Sequence, residues 1–239
     1  MKRINDIFYS LQGEGRNTGR AAVFIRFSGC NLRCPFCDTE FDSGRTMSDD
    51  DILAAVAALV PTSEPPSPAD ASVPPSLRRI LIVLTGGEPT LQADEAFVDL
   101  LHRHGYEVAM ESNGTRPAPR NLDWLTLSPK EETGSENAAV QSEKAAVQSE
   151  KDKTGNEERA AMRMPDELKV VFDEHTDPES VLRSYSSLFS SRSALLYLQP
   201  CDTGDARRNE AIVEACIRYI KSHPWWRLSL QTHKLVGFK

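Results

Sequence analysis

The chain has 239 residues, 39% hydrophobic and 26% charged, with a net charge of −7. That length suits one domain with a substantial core. The acidic balance excludes a nucleic-acid partner held by a general basic surface, though not a small anion held by one or two arginines.

In chain order, "MKRINDIFYS" lacks the apolar run of a signal peptide, and no later stretch reaches the ~18 apolar residues of a membrane span. "AAVFIRFSG" (21–29) predicts a buried strand, rich in β-branched and aromatic residues and ending at a glycine. "SDDDILAAVAALV" (48–60) predicts a helix with Ser48 as N-cap and Asp50 and Asp51 near the positive end of its dipole. "PTSEPPSPADASVPPS" (61–76) holds six prolines and predicts a linker or surface loop. "RRILIVLTGG" (78–87) is the clearest strand, and "QADEAFVDLLHRHG" (92–105) a helix closed by Gly105. Further strands are expected at 106–114, 123–129, 167–174 and 194–200, helices at "PESVLRSYSSLF" and "ARRNEAIVEACIRYIKSH", and a last strand at 226–232.

The segment 131–165 breaks this pattern with the tandem repeat "AAVQSEK AAVQSEK". Residues 131–167 carry ten acidic and five basic side chains, which is −5 of the net −7. So little apolar surface predicts a mobile charged insertion; if it docks, it does so as a helix. Elsewhere strand and helix alternate, which indicates a single α/β domain over 1–239 with a mainly parallel sheet. A doubly wound sheet and a full or partial (β/α) barrel all fit, and about six or seven strands fall short of a complete eightfold barrel.

"GCNLRCPFCDTEF" places Cys30, Cys34 and Cys37 in a C-x3-C-x2-C spacing. Iron–sulfur clusters are held by cysteine thiolates, and three thiolates on a four-iron cube leave one iron open to a ligand. Zinc is the alternative; it needs a fourth ligand, and none lies close by in sequence. Three clustered cysteines of five suit a reducing cytosol better than a secreted disulfide framework, and Cys201 and Cys216 read as small packed hydrophobes. "TGGEP" (85–89) follows a strand. Its glycines allow close backbone approach to a ligand, and Glu88 can accept from an ammonium group.

These motifs resemble the radical S-adenosylmethionine (SAM) superfamily, which implies a partial (incomplete) TIM-like (β/α) barrel. In that superfamily the open iron binds SAM and an electron releases a 5′-deoxyadenosyl radical. The closer resemblance is to the 7-carboxy-7-deazaguanine synthase family. It is carried by "YSLQGEGRNTGRAAVFIRFSGCNLRCPFCDTEF", "LTGGEP", "ESNGT", "SPK", "ELKVV", "LQPCD" and "LSLQTHKLVGF", which run from end to end of the chain.

The resemblance implies a radical ring contraction of 6-carboxy-5,6,7,8-tetrahydropterin to 7-carboxy-7-deazaguanine with loss of ammonia, in 7-deazapurine and queuosine biosynthesis. It implies that Cys30, Cys34 and Cys37 hold a [4Fe–4S] cluster and that Thr39 ligates Mg2+. Gln12, Gly13 and Glu14 resemble the loop that reads the pterin edge, Arg26 the partner of the substrate carboxylate, and Thr85 a further substrate contact. Lys239 stands where the family's chain end approaches the substrate, though proline is more usual there. SAM contacts fall on Gly87, Glu88, Ser112, Asn113, Ser128, Pro129, Lys130, Gln199, Pro200, Cys201 and Asp202. Glu14 and His233 are candidates for proton transfer. The resemblance also implies a cytoplasmic homodimer served by an electron donor such as flavodoxin or ferredoxin. The competing readings are a glycyl-radical-enzyme activase and a non-catalytic zinc or iron–sulfur binding module.

Overall fold

The computed structural model describes residues 1–60, 79–130, 163–189 and 194–238. The proline-rich loop at 61–76 and Lys239 lie outside these residues, as does the predicted insertion at 131–165 apart from 163–165. At the insertion's end Arg163 is anchored, donating to Asp166 at 2.7 Å and to the Leu122 carbonyl at 3.0 Å.

The described strands form one sheet. They are β1 (Lys2–Leu11), β2 (Ala21–Phe27), β3 (Arg45–Met47), β4 (Leu81–Gly86), β5 (Glu107–Ser112), β6 (Trp124–Leu127), β7 (Glu167–Phe172), β8 (Leu195–Pro200) and β9 (Trp226–Leu228). Their spatial order is β3-β1-β2-β4-β5-β6-β7-β8-β9. From β2 through β4 to β9 every pairing is parallel, while β1 runs antiparallel to both β2 and β3. The edge strands β3 and β9 do not meet, so the barrel is incomplete, as expected.

The seven parallel strands are those the sequence predicts, with trimmed ends. The last is shortened most: 226–232 is strand only to Leu228, because the chain turns at Gln231 into a short helix. Two strands were not predicted. β1 carries Lys2, Arg3, Asn5 and Asp6 among its apolar residues. A register shift between Ile4 and Asp6 breaks its alternation, so the period-two signal is lost.

The helices are α1 (Asp49–Leu59), α2 (Glu95–Arg103), α3 (Pro178–Ser184), α4 (Ala206–Ser222) and α5 (Thr232–Val236). Ser48 caps α1 as predicted, in a reciprocal capping box with Asp51, worth about 1 kcal/mol. After α2 the chain turns at Gly105, whose φ is 83°. The Gly105 and Tyr106 amides return to the His102 and Leu101 carbonyls, the paired bonds that terminate a helix on a left-handed glycine. No helix among the described residues is long and apolar enough to cross a membrane.

Strand alternation decides which residues can do chemistry. Ile25, Phe27, Ile82, Leu84, Val108 and Met110 face the helices and form one core with Ile52, Val56, Phe97 and Leu101. A second helix-side core joins Leu168, Val170, Leu198, Ile212 and Trp226. The intervening residues face inward. Phe8, Phe24, Leu81, Val83 and Ala109 fill the barrel floor, with Phe8 stacked on Phe24 at 5.0 Å. Two residues further along their strands, Arg26, Thr85 and Glu111 stand above that floor at the carboxyl ends, where α/β barrels place ligands.

Candidate active site

One cavity of about 470 Å3 opens at the carboxyl ends of the strands. Its size suits a ligand-binding cleft. The predicted site residues converge on it from distant parts of the chain. Gln12, Gly13 and Glu14 line it, together with Arg26 and Thr85 and with Cys30, Cys34, Cys37 and Thr39. Gly87, Ser112, Asn113, Ser128 and Lys130 contribute further wall, as do Gln199, Pro200, Cys201, Asp202 and His233.

Two expected contacts do not reach this wall. Glu88 is fully buried, and its carboxylate is saturated by its own chain. It accepts from the Thr90 amide (3.0 Å), Thr90 Oγ1 (2.6 Å), Ser112 Oγ (2.9 Å) and the Asn113 amide (2.7 Å). Its acceptors therefore organise β5 instead of waiting for an ammonium ligand. Pro129 turns away from the cavity into a small void with Val170 and Val181, against the root of α3.

Arg26, which lines the cavity, holds a polar atom that its own chain leaves unsatisfied. Its Nε is buried without a hydrogen-bond partner, and its guanidinium lies 5.4 Å from the Phe8 ring centroid. A buried unsatisfied donor costs about 1–3 kcal/mol, a cost that a carboxylate in the cavity would relieve by charge-assisted pairing.

In the same cavity Lys169 sits almost fully buried between two carboxylates, Glu14 and Glu111, the second at 3.1 Å. Sequence reasoning missed both Lys169 and Glu111. The lone signal was charge at alternate positions within otherwise apolar strands. Burial alone would favour neutral Lys169, but Glu111 and Glu14 outweigh it and hold the ammonium well above its ordinary range. Burial likewise pushes Glu14 up, and Lys169, together with the Gln231 amide, draws it below the ordinary carboxyl range. Gln12 belongs to the same group: its amide donates to Glu111 at 2.7 Å while its oxygen accepts from the Gly13 amide. Glu14 is thus an ionised, poor proton acceptor in this arrangement, which counts against the general-base role considered for it. Lys130 is lowered, by burial and then by repulsion from Lys169, and donates to Ser128 Oγ at 2.7 Å.

These shifts give a pH prediction. The depressed Glu14 contributes stability that is present above its ordinary value of 4.5 and is lost as pH falls through its folded value. The raised Lys169 contributes fully below 10.5 and loses that contribution only as pH rises past its folded value. Glu167, pushed up by burial, offsets part of the acid loss. Urea midpoints should therefore be flat between about pH 6 and 9 and fall on acidification, and Glu14→Gln should shrink that fall. An undiminished acid slope in the variant would assign the loss to other carboxylates.

The turn after β9 closes the cavity, a feature the sequence pattern did not reveal. Gln231 Nε2 donates to Glu14 at 3.1 Å and to Asp38 at 3.3 Å. Lys234 bridges Asp38 at 2.7 Å and Asp202 at 2.8 Å. The Lys234 hydrogen bond holds the Asp202 carboxyl down to about 2. Thr232 bonds the Gly13 carbonyl through its amide and its hydroxyl. His233 packs against Gly13 so closely that a side chain there would overlap its ring.

The donor set fits an iron–sulfur cluster. Burial raises the Cys34 thiol, Lys130 opposes, and Cys37 and Cys30 raise it further, so the three sulfurs sense one another across one loop. Yet among the described residues no three His, Cys, Asp or Glu side chains converge on a point where a single ion could sit. Cys30, Cys34 and Cys37 line one pocket, and three cysteine ligands are the donor type that iron–sulfur clusters take. Thr39 Oγ1 lies on the exposed rim, 3.5 Å from Asp38 Oδ1.

Comparison with known proteins agrees with this chemistry. The chain is 38% identical over 239 residues to a 7-carboxy-7-deazaguanine synthase of Bacteroides thetaiotaomicron, covering 100% of both chains. It is 40% identical over 253 residues to the enzyme of the same name from Nitratidesulfovibrio vulgaris, covering 98% of both. The crystal structure of QueE from Escherichia coli superposes with a TM-score of 0.65 at 25% identity, covering 96% of this chain and 93% of that one. No family model matches the chain.

Proposed function

The chain belongs to the 7-carboxy-7-deazaguanine synthase family, and from this premise we infer how its cavity makes 7-carboxy-7-deazaguanine. The substrate is 6-carboxy-5,6,7,8-tetrahydropterin, contracted by radical chemistry with loss of ammonia in 7-deazapurine and queuosine biosynthesis. Family membership displaces the activase and binding-module readings.

Cys30, Cys34 and Cys37 would hold a [4Fe–4S] cluster that, with SAM bound, supplies a 5′-deoxyadenosyl radical. The chain's own residues do the rest. Ser128, Lys130, Gln199, Pro200, Cys201 and Asp202, with Gly87, Ser112 and Asn113, form the walls assigned to SAM. Glu88 and Pro129 support those walls from behind. Gln12, Gly13 and Glu14 present amide and carboxylate groups matched to the 2-amino-4-oxo edge of a pterin. The Lys169 ammonium, held charged between Glu14 and Glu111, fixes the direction of that edge. Arg26 takes the substrate carboxylate, and Thr85 lies beside it on the next strand. Thr39 would offer a hydroxyl oxygen to Mg2+, which would supply charge to hold the substrate carboxylate. His233, on the cavity wall, is the remaining candidate for proton transfer. All five cysteines are free thiols, which supports a cytoplasmic setting. A homodimer served by flavodoxin or ferredoxin completes the reading.

The observation that carries this reading is Arg26, its Nε buried without a partner, lining the same cavity as the three thiols. The test is anaerobic reconstitution with iron and sulfide, followed by reduction with SAM and substrate. The expected products are 5′-deoxyadenosine and the deazapurine, and absence of both refutes the reading. Arg26→Ala should raise KM by about 10–100-fold, the loss of one charge-assisted contact of 1.5–3 kcal/mol. An unchanged KM would move the carboxylate elsewhere.

A further inference from the structure

Asn113 is the residue whose surroundings ask most for explanation. It is 8% exposed, and every polar atom of its side chain is engaged by its own chain. Its Oδ1 accepts from the Thr115 amide (3.0 Å) and from Thr115 Oγ1 (2.6 Å). Its Nδ2 donates to Asn31 Oδ1 at 3.1 Å, and Asn31 Nδ2 donates in turn to Thr115 Oγ1 at 2.7 Å. Its backbone amide is held by the buried Glu88 carboxylate.

This ring leaves one Asn113 hydrogen, and it is aimed at Cys30. Nδ2 lies 3.9 Å from Cys30 Sγ, at the long end of an N–H···S contact. Amide orientation follows from the network. A flipped Asn113 would set its NH2 against the Thr115 N–H and its oxygen against a thiolate, so the donor must face sulfur. The Leu32 amide reaches the same sulfur at 3.4 Å. Among the described residues no other N–H donates to Cys34 or Cys37, so Cys30 is chemically singled out.

We propose that Asn113 is a positioning residue for the cluster, donating a hydrogen bond to the Cys30 thiolate and raising the cluster's reduction potential. The proposal rests on the cluster assigned above and goes beyond it, because it gives Asn113 a task distinct from contacting SAM. A hydrogen bond to a cluster sulfur withdraws electron density and favours the reduced, more negative state; such bonds are among the determinants of cluster potential. Glu88 acts one step further back, fixing the backbone from which the amide reaches the sulfur.

The test uses the full chain, reconstituted anaerobically without SAM, with the midpoint read by an EPR-monitored titration. Asn113→Ala removes the donor. Asn113→Asp keeps the oxygen that Thr115 bonds and replaces the donor with a negative charge. Both midpoints should move negative, Asp more than Ala, with the Ala shift at least a tenfold change in the one-electron equilibrium, about 59 mV. A midpoint equal to wild type in a variant carrying four irons overturns the proposal. If the variants lose the cluster, the wild type decides the matter: with asparagine labelled by 15N at the side chain, the reduced cluster should show a 15N hyperfine coupling. Its absence overturns the proposal and leaves the functional reading standing. A wild-type chain that takes up no cluster overturns both.

Discussion

Lys169→Met should lower folding stability by about 3–5 kcal/mol and abolish turnover. The substitution keeps the length of the side chain and removes its charge. It leaves Glu14 and Glu111 facing each other in a buried site with nothing cationic between them. Removing one partner of a buried ionic group costs about 3–5 kcal/mol, because the remaining charge has lost both water and counter-ion. Three carboxylates then crowd the site, since Glu167 lies two residues away on the same face of β7 and is itself pushed up by burial. Urea denaturation measures the loss directly. Adding Glu14→Gln to Lys169→Met should recover part of it, since the two residues share one interaction. A loss below about 1 kcal/mol in the single variant, the scale of a surface pair, would mean that water reaches the site and that the cluster of charges is not structural.

Gly87→Ala should prevent stable cluster loading, although alanine is the smallest change available. The reason is backbone against backbone. A Cβ at Gly87 would overlap the carbonyl of Gly29, the residue that opens the cysteine loop. The chains meet there through two hydrogen bonds: Gly87 N–H to the Phe27 carbonyl and Glu88 N–H to the Gly29 carbonyl, both 2.9 Å. Neither side can yield as a flexible side chain would, so the end of β4 and the cysteine loop must separate. Iron content after reconstitution should fall well below four per chain, while circular dichroism of the rest of the fold persists. Full loading in the variant would show that the loop is free to shift. The same contact revises the sequence reading of "TGGEP". The second glycine admits the protein's own cysteine loop, whatever it also contributes toward a ligand.

The local patterns were legible where chemistry depends on spacing along the chain. The intervals of Cys30, Cys34 and Cys37, the glycines after β4 and the apolar runs of the parallel strands are all short-range signals. The Ser48 cap and the Gly105 stop are local too, and both appear where the sequence puts them. β1 was illegible because its bulge breaks the alternation and its charges look solvated, although Lys2 is buried against Asp49.

Sequence by itself determined that this chain is an α/β protein whose spacing of strand ends, glycines and cysteines points to a ligand-binding rim with three thiols. Tertiary structure alone decided that Lys169 meets Glu14 and Glu111, residues 155 and 58 positions away, and that Gln231 and Lys234 close over the cysteine loop. The physical reason is that strand alternation fixes which face a side chain takes, but not which strand becomes its neighbour. A charge in a strand looks alike on paper whether it meets water or a counter-ion, and only the paired sheet brings the counter-ion within hydrogen-bonding distance.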